Sequence, residues 1–430
     1  MARLPDAPIV LTASPEQVRN GDVHHRYRQG SDFLWLTGVE QPGYALLIDP
    51  RHATETLFAP RLTQKHAVWL GHIPSLREAR EAFGIRHVLH LDELPKALRK
   101  LGRVAHVHAD ARSVAAVRRS RPAARVERKP LAEALLELRV VKDAAELALL
   151  RQASAATAAG HVAAMQAARA GQREYQVQAV LECAFAQAGC GQTGYASIVA
   201  GGRNAAVLHY HANAARLAPR SLLLIDAGAE CHGYGADVTR TFPVSGRFTR
   251  FQRDVYDVVL AAQLRCIELA QPGRTTIELQ RAAEETLAEG LRGLGFLHGG
   301  TAELVDTKAV KIFFPHGISH SLGLDVHDAQ GGRKRTLPQP RAAKLRFRAR
   351  LEPGFVITVE PGVYFIEALL TDRTLRRSHR GRVDFDRALR HLREGGVRIE
   401  DDVVVRPAGP PENLTRVPRT VADVEAACGR

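Results

Sequence analysis

The chain has 430 residues, 45% of them hydrophobic and 25% charged, with a formal net charge of +14. That length exceeds one ordinary hydrophobic core, so two domains are the default. No stretch approaches the roughly 20 apolar residues of a membrane span, and the start, MARLPDAPIVLTASP, lacks the basic and apolar run of a signal peptide. The five cysteines (Cys183, Cys190, Cys231, Cys266, Cys428) are odd in number and without CxxC spacing. They predict reduced thiols in a cytoplasmic protein, not a disulfide frame or a thiolate zinc site. The positive charge is mostly arginine mixed with acids. Its densest stretches, 118–129 and 333–350, lack the interleaved aromatics of a single-strand binder, so a solvated surface is the simpler account and nucleic acid is not an expected partner.

In chain order, YALLIDP (44–50) and ETLFAPR (55–61) predict adjacent strands. SLREAREAFG (75–84) predicts a helix before HVLHL (87–91), and RVAHVHAD (103–110) predicts a further strand. Residues 1–138 therefore predict an α/β domain with no phosphate-cradling glycine loop and no catalytic cluster. Asp143 is placed to cap a long helix whose apolar spacing persists to Met165. Helices follow at 173–188, 250–270 and 276–293, with strands at 355–366 and 397–406. Long helices with mostly antiparallel strands give residues 139–430 an α+β fold.

Five ionisable residues stand at the ends of apolar runs in this second half: Asp226, Asp237, His320, Glu360 and Glu400. Four carboxylates brought together would repel and take up protons, so a pair of divalent cations is their natural compensation. Asp226 and Asp237 flank the turn ECHGYG; an even turn centred between Cys231 and His232 would set them directly opposite. Glu360 closes the apolar FVITVE before Pro361 and Gly362, where a carboxylate turned out to solvent is the plain alternative. Glu400 lies two residues from Arg398, so both side chains share a face, and an ordinary ion pair is the alternative there. The run HGISHSLGLDVHD holds His316, His320 and His327, and VLHYHAN adds His209 and His211. His320 is the choice for a ligand; His209 and His327 are the choices for donors to a reacting carbonyl.

Taken together, LLIDAGAE, GADVTRTFPVSG, FPHGISHSLGLDVHD, TVEPGVYF and GGVRIEDDVVV resemble, in order, the metal-dependent pita-bread peptidases, which include methionine aminopeptidase, aminopeptidase P and prolidase. The resemblance implies a pita-bread catalytic domain behind an N-terminal domain that serves dimerisation or shapes the substrate entrance. It places the metal ligands on Asp226, Asp237, His320, Glu360 and Glu400. The long segment between Glu360 and Glu400 and the ending ENLTRVPRTVADVEAA resemble the prolidase branch. That branch implies hydrolysis of Xaa-Pro dipeptides by a hydroxide bridging two divalent ions, most suitably Mn²⁺, with Co²⁺ or Zn²⁺ able to substitute, and a homodimer. Glu360 would also shuttle protons. Arg346, with Arg348 as its neighbouring candidate, would hold the dipeptide carboxylate; Tyr195, His316 and Arg398 complete the substrate-binding set. The alternatives are an aminopeptidase P acting on longer Xaa-Pro peptides, and a non-catalytic scaffold binding protein or nucleic acid.

Overall fold

The structure, a computed structural model, describes residue 4 and residues 6–330, 332–339 and 345–429; the rest of the N-terminal segment and part of the basic stretch 333–350 lie outside the described residues. The chain divides into two units, Met1–Arg139 and Val140–Arg430.

In the first unit, strands β1 (Ile9–Thr12), β2 (Ala45–Asp49), β3 (Thr54–Ala59), β4 (His87–His90), β5 (His106–Ala109) and β6 (Arg125–Glu127) form one sheet in the order β4-β3-β2-β1-β5-β6. The pairs β1–β2 and β2–β3 are antiparallel, the others parallel. Parallel neighbours need a crossover, and between β3 and β4 it includes helix α1 (Leu76–Phe83). Its start is fixed by Ser75 and Glu78, each bonded to the other's backbone N–H. Side chains alternate between two buried faces. Val10, Leu47, Phe58 and Val107 enter one core, while Ile9, Leu46, Ile48 and Leu57 pack with Leu131 and Leu135 of helix α2 (Lys129–Arg139) in the other.

The second unit begins with helix α3 (Ala144–Ala167), where Asp143 accepts from the Glu146 N–H and Glu146 accepts from that of Asp143. Helices α4 (Glu174–Gln187), α5 (Arg250–Leu269) and α6 (Thr276–Gly293) follow, the last two started by equivalent boxes at Thr249 and Thr275. Their apolar faces share one core, including Met165, Leu181, Val255, Leu279 and Leu287.

The paired strands of this unit are antiparallel: β7 (Ile198–Gly201), β8 (Leu222–Asp226), β9 (Ala229–Cys231), β10 (Tyr234–Gly235), β11 (Thr239–Pro243), β12 (Val356–Val359), β13 (Gly362–Tyr364), β14 (Gly396–Arg398) and β15 (Asp401–Val404). β8 lies between β7 and β11, β12 pairs with β15, and β13 pairs with β14. A single bridge, Thr239 to Glu400, ties the β11 end to the β14–β15 junction.

Three expectations are corrected here. The strands foreseen at 355–366 and 397–406 are each broken, at Glu360–Pro361 and at Ile399–Glu400; Pro361 brings no N–H for the ladder. The turn between Asp226 and Asp237 is centred one residue beyond the expected place, which moves the residue opposite Asp226 by two positions. His232 (φ 50°) and Gly233 (φ 82°) form its tip, both with the positive φ of a tight hairpin turn. Asp226 thus faces Thr239, and Asp237 stands in the gap between β10 and β11. Gly228 permits the crossing, since a Cβ there would collide with the Ala236 carbonyl. Finally, Cys190 and Cys231 are joined in a disulfide, with Cα atoms 4.8 Å apart; Cys183, Cys266 and Cys428 are not disulfide-bonded. Pairing of β9 with Gln192–Thr193 brings the two cysteines together, a contact that their separation of 41 residues does not announce.

Candidate metal centre

Asp226, Asp237, His320, Glu360 and Glu400 line one cavity of about 330 Å³, together with His209, His316, His327, Arg346 and Arg398. Four of the five come from a strand end or a strand break, where the backbone stops pairing and the side chain can turn inward, whereas His320 lies in a segment without a named strand, beside β12. Asp226 is the last residue of β8; Glu360 follows β12, and Glu400 precedes β15. His320 is held on both sides of Thr358: its N–H donates to Thr358 Oγ1 (3.1 Å) and its carbonyl accepts from the Thr358 N–H (3.0 Å).

One donor atom each from Asp237, His320 and Glu400 falls within 4.8 Å of the others, all three residues buried. His320 Nε2 lies 3.3 Å from Asp237 Oδ2 and 3.7 Å from Glu360 Oε1. Its other nitrogen, Nδ1, faces the Ser321 carbonyl at 3.2 Å, which leaves Nε2 as the atom presented to the cavity. Asp226 joins the group through Tyr195, whose hydroxyl donates to Asp226 Oδ1 (2.5 Å) and Asp237 Oδ1 (2.6 Å). The Asp226–Asp237 pair is thus a diagonal neighbour pair across the hairpin, still on one face despite the shifted register.

The surrounding polar groups form a continuous network. Arg398 donates to Asp226 Oδ2 (2.5 Å), Thr239 Oγ1 (2.9 Å) and Tyr364 Oη (2.9 Å). Thr239 in turn donates to Glu400 Oε2 (2.6 Å). Tyr364 also meets His316 Nε2 at 2.8 Å, and His316 Nδ1 lies 3.4 Å from Glu360. Below these, Arg240 is fully buried and donates to the Thr239 and Glu400 carbonyls (2.9 and 2.8 Å) and to Asp401 (2.7 Å).

The electrostatics fit a cation site. Burial raises the Glu360 carboxyl to about 7, against the pull of His320 and Arg398. Burial, then Asp237, Glu360 and Asp226, push Glu400 well above the usual range, and burial also raises Asp226. Burial would raise Asp237 too, but hydrogen bonding and charge from His320 outweigh it and hold Asp237 low. Burial lowers His320, yet Asp237 and Glu360 bring it up to about 9. Four carboxylates, Asp237 and Glu400 buried and Asp226 and Glu360 partly so, are served by one guanidinium and one imidazole and carry more negative charge than those partners neutralise, and divalent ions are the matching complement.

The remaining candidates divide between floor and mouth. His316 and Arg398 are built into the floor network. Tyr195 does not line the cavity but bridges two of its carboxylates. His209 and His327 are exposed at the cavity, with the His327 ring 4.4 Å from that of His320. Arg346 lines the cavity and contacts His327 Nδ1, whereas Arg348 does not line it and bonds Gln339. Thr239, Tyr364 and Asp402, which accepts from the Asp237 N–H at 3.1 Å, were not singled out in the sequence. The one available signal was position: each lies within four residues of a candidate ligand in the same motif.

Residues 148–407 match the family model described as metallopeptidase family M24, and residues 1–108 match the aminopeptidase P N-terminal domain. The chain is 34% identical to the Xaa-Pro dipeptidase of Homo sapiens, over 99% of this chain and 90% of that protein. It is 33% identical to the Xaa-Pro aminopeptidase of Escherichia coli strain K12, over 96% and 91%. Among solved structures, the Pseudomonas aeruginosa aminopeptidase PepP superposes with a TM-score of 0.84 at 34% identity, covering 99% of this chain and 94% of that one. Zinc-substituted E. coli aminopeptidase P in complex with product gives 0.85 at 32%, with the same coverage. An α/β N-terminal unit followed by an α+β unit with these motifs, this cavity and these relatives makes the chain a member of the pita-bread metallopeptidase family M24.

Proposed function

We propose that the protein hydrolyses Xaa-Pro dipeptides to a free amino acid and proline, with Asp226, Asp237, His320, Glu360 and Glu400 holding two divalent metal ions. The observation that carries this is the convergence of these five side chains on one cavity with Arg346 at its side, against His327. When bound, the ions would supply an activated water and polarise the scissile carbonyl. The Xaa-Pro bond suits such a site, because attack by activated water does not require the N–H that proline lacks.

The side chains divide the remaining work. Glu360, at the cavity between His316 and His320, accepts a proton from water and returns it to the leaving proline nitrogen. His209 and His327 donate to the oxygen on which negative charge develops. Burial, His320 and Arg346 lower His327 to about 4, so it acts as a neutral donor. Arg346 pairs with the substrate's C-terminal carboxylate, while Arg398 and Tyr195 keep Asp226 and Asp237 in place. His316, lowered to about 3 by burial and then Arg398, is neutral beside Glu360.

The oxygen-rich donor set favours Mn²⁺, with Co²⁺ or Zn²⁺ able to enter. A homodimer and a cytoplasmic setting belong to the same proposal. Among the described residues no helix is long and apolar enough to cross a membrane, and the thiol argument now rests on the three cysteines outside the disulfide. The second reading, an aminopeptidase P, is favoured by the superposition on proteins of that name. Turnover of Gly-Pro, Ala-Pro and Leu-Pro against Ala-Pro-Ala by metal-loaded protein separates the two. Faster hydrolysis of the dipeptides is expected; a preference for the tripeptide transfers the assignment to aminopeptidase P.

A further inference from the structure

The first unit contains a second convergence of metal-binding side chains. β5 and β6 run parallel in register, His106 beside Arg125 and His108 beside Glu127. His106 and His108 are two positions apart on β5 and therefore share a face, alternating with Val107 and Ala109, which enter the opposite core. One donor atom from each of His106, His108 and Glu127 lies within 4.8 Å of the others, the same closeness that relates Asp237, His320 and Glu400.

The arrangement is unsatisfied as it stands. His108 is 4% exposed, and its Nδ1 is buried without a hydrogen-bond partner. That nitrogen points at Glu127 Oε2 from 3.9 Å, too far for a hydrogen bond. Glu127 is oriented by Arg125, whose Nε lies 3.2 Å from Oε1, leaving Oε2 on the His108 side. The His106 ring stands edge-on to His108, centroids 5.1 Å apart, and is only half-buried, so it has room to turn inward. A buried imidazole nitrogen left without a partner across such a gap from a carboxylate oxygen is costly for a protein alone. An ion with bonds of about 2.0–2.2 Å to nitrogen and oxygen would fill it after a small inward rotation.

We propose that His106, His108 and Glu127 form a second, independent metal site that takes a divalent transition ion of the Zn²⁺ class. Two imidazoles and one carboxylate are a borderline-soft set, suited to Zn²⁺, Co²⁺ or Ni²⁺ and poorly suited to Mg²⁺ or Mn²⁺. The ion would clip the three-residue edge strand β6 to β5, with a fourth position open to water.

The test uses the full-length chain carrying Asp237→Ala and His320→Ala, which disables the centre in the second unit. This protein is stripped with chelator, given Zn²⁺, passed through gel filtration and measured for bound metal. About one Zn²⁺ per chain is expected. Adding His106→Ala and Glu127→Gln should remove it, and Co²⁺ loading should give a visible absorption band in the first protein but not the second. His106→Ala with Glu127→Gln in the otherwise native chain should leave Mn²⁺-supported peptidase turnover unchanged, which shows that the fold survives. Zn²⁺ uptake absent from the first protein, or undiminished in the second, overturns the proposal.

Discussion

The floor and the mouth of the cavity are built differently. On the floor, Asp237, His320, Glu400 and Arg398 are buried, and their neighbours Thr239, Tyr195 and Tyr364 tie them into one hydrogen-bonded network. At the mouth, His209, His327 and Arg346 are exposed and have few partners. A buried network fixes distances and is expensive to alter one member at a time. An exposed arginine on a long stem can be moved or lost at small cost to the fold. Under the proposed function, metal binding belongs to the floor and choice of peptide length to the mouth.

Substitutions can break that division, and Glu400→Ala should do so most severely. Loss of a buried ligand should cut turnover by about a thousandfold or more, equivalent to about 4 kcal/mol of barrier, and bound metal should fall with it. Turnover retained with full metal content would remove Glu400 from the floor's function. Arg346→Ala comes next. Because its guanidinium is exposed, a charge-assisted contact of about 1.5–3 kcal/mol is the fitting scale. KM for a dipeptide should therefore rise roughly tenfold to a hundredfold, with little change for Ala-Pro-Ala. An equal rise for both substrates would show that Arg346 does not read the dipeptide carboxylate.

Thr239→Val tests whether the network itself matters. It removes the hydroxyl between Arg398 and Glu400 at nearly constant volume, and supporting groups of this kind contribute about tenfold to a hundredfold in metal affinity or activity. A metal titration of the variant measures this directly, and unaltered affinity would reduce Thr239 to packing. The smallest effect concerns stability without metal. Glu360, raised to about 7, holds its proton in the folded chain where an unfolded carboxyl releases it, so folded stability falls as pH rises from the usual carboxyl range through 7. His320, raised to about 9, contributes stability that is complete below the ordinary histidine range and is lost as pH rises through 9. Because His161, His316 and His327, all held low by burial, add stability as pH rises to the ordinary histidine range, the fall should show above it: chelated protein should melt at progressively lower temperature between about pH 7 and 9, and added Mn²⁺ should flatten the trend. A melting temperature that climbs over this interval would contradict the excess negative charge assigned to the floor.

Much of this was legible in the amino-acid order. Helix starts at Asp143, Thr249 and Thr275 follow from local capping chemistry, which needs only three residues of context. The five acidic and imidazole groups stood out because charge at the end of an apolar strand demands a partner. What stayed hidden depended on register and on distant pairing. Parity correctly placed Asp226 and Asp237 on one face, but only the His232–Gly233 turn fixed which residues oppose. The Cys190–Cys231 bond arises from strand pairing that spacing does not encode. His106 and His108 alternate visibly in RVAHVHAD, yet their third partner, Glu127, arrives only through the β5–β6 register.

Arg240 gives the second unit a further property. Its guanidinium grips the carbonyls of Thr239, Glu400, Val417 and Pro418 and the Asp401 carboxylate, so the hairpin end and the β14–β15 junction are clamped by the polypeptide's own cation. The backbone that carries the socket is therefore braced from within the chain. Ions should exchange through it as removable fittings, and a chain emptied by chelator and refilled with a different metal should recover its work without having to refold.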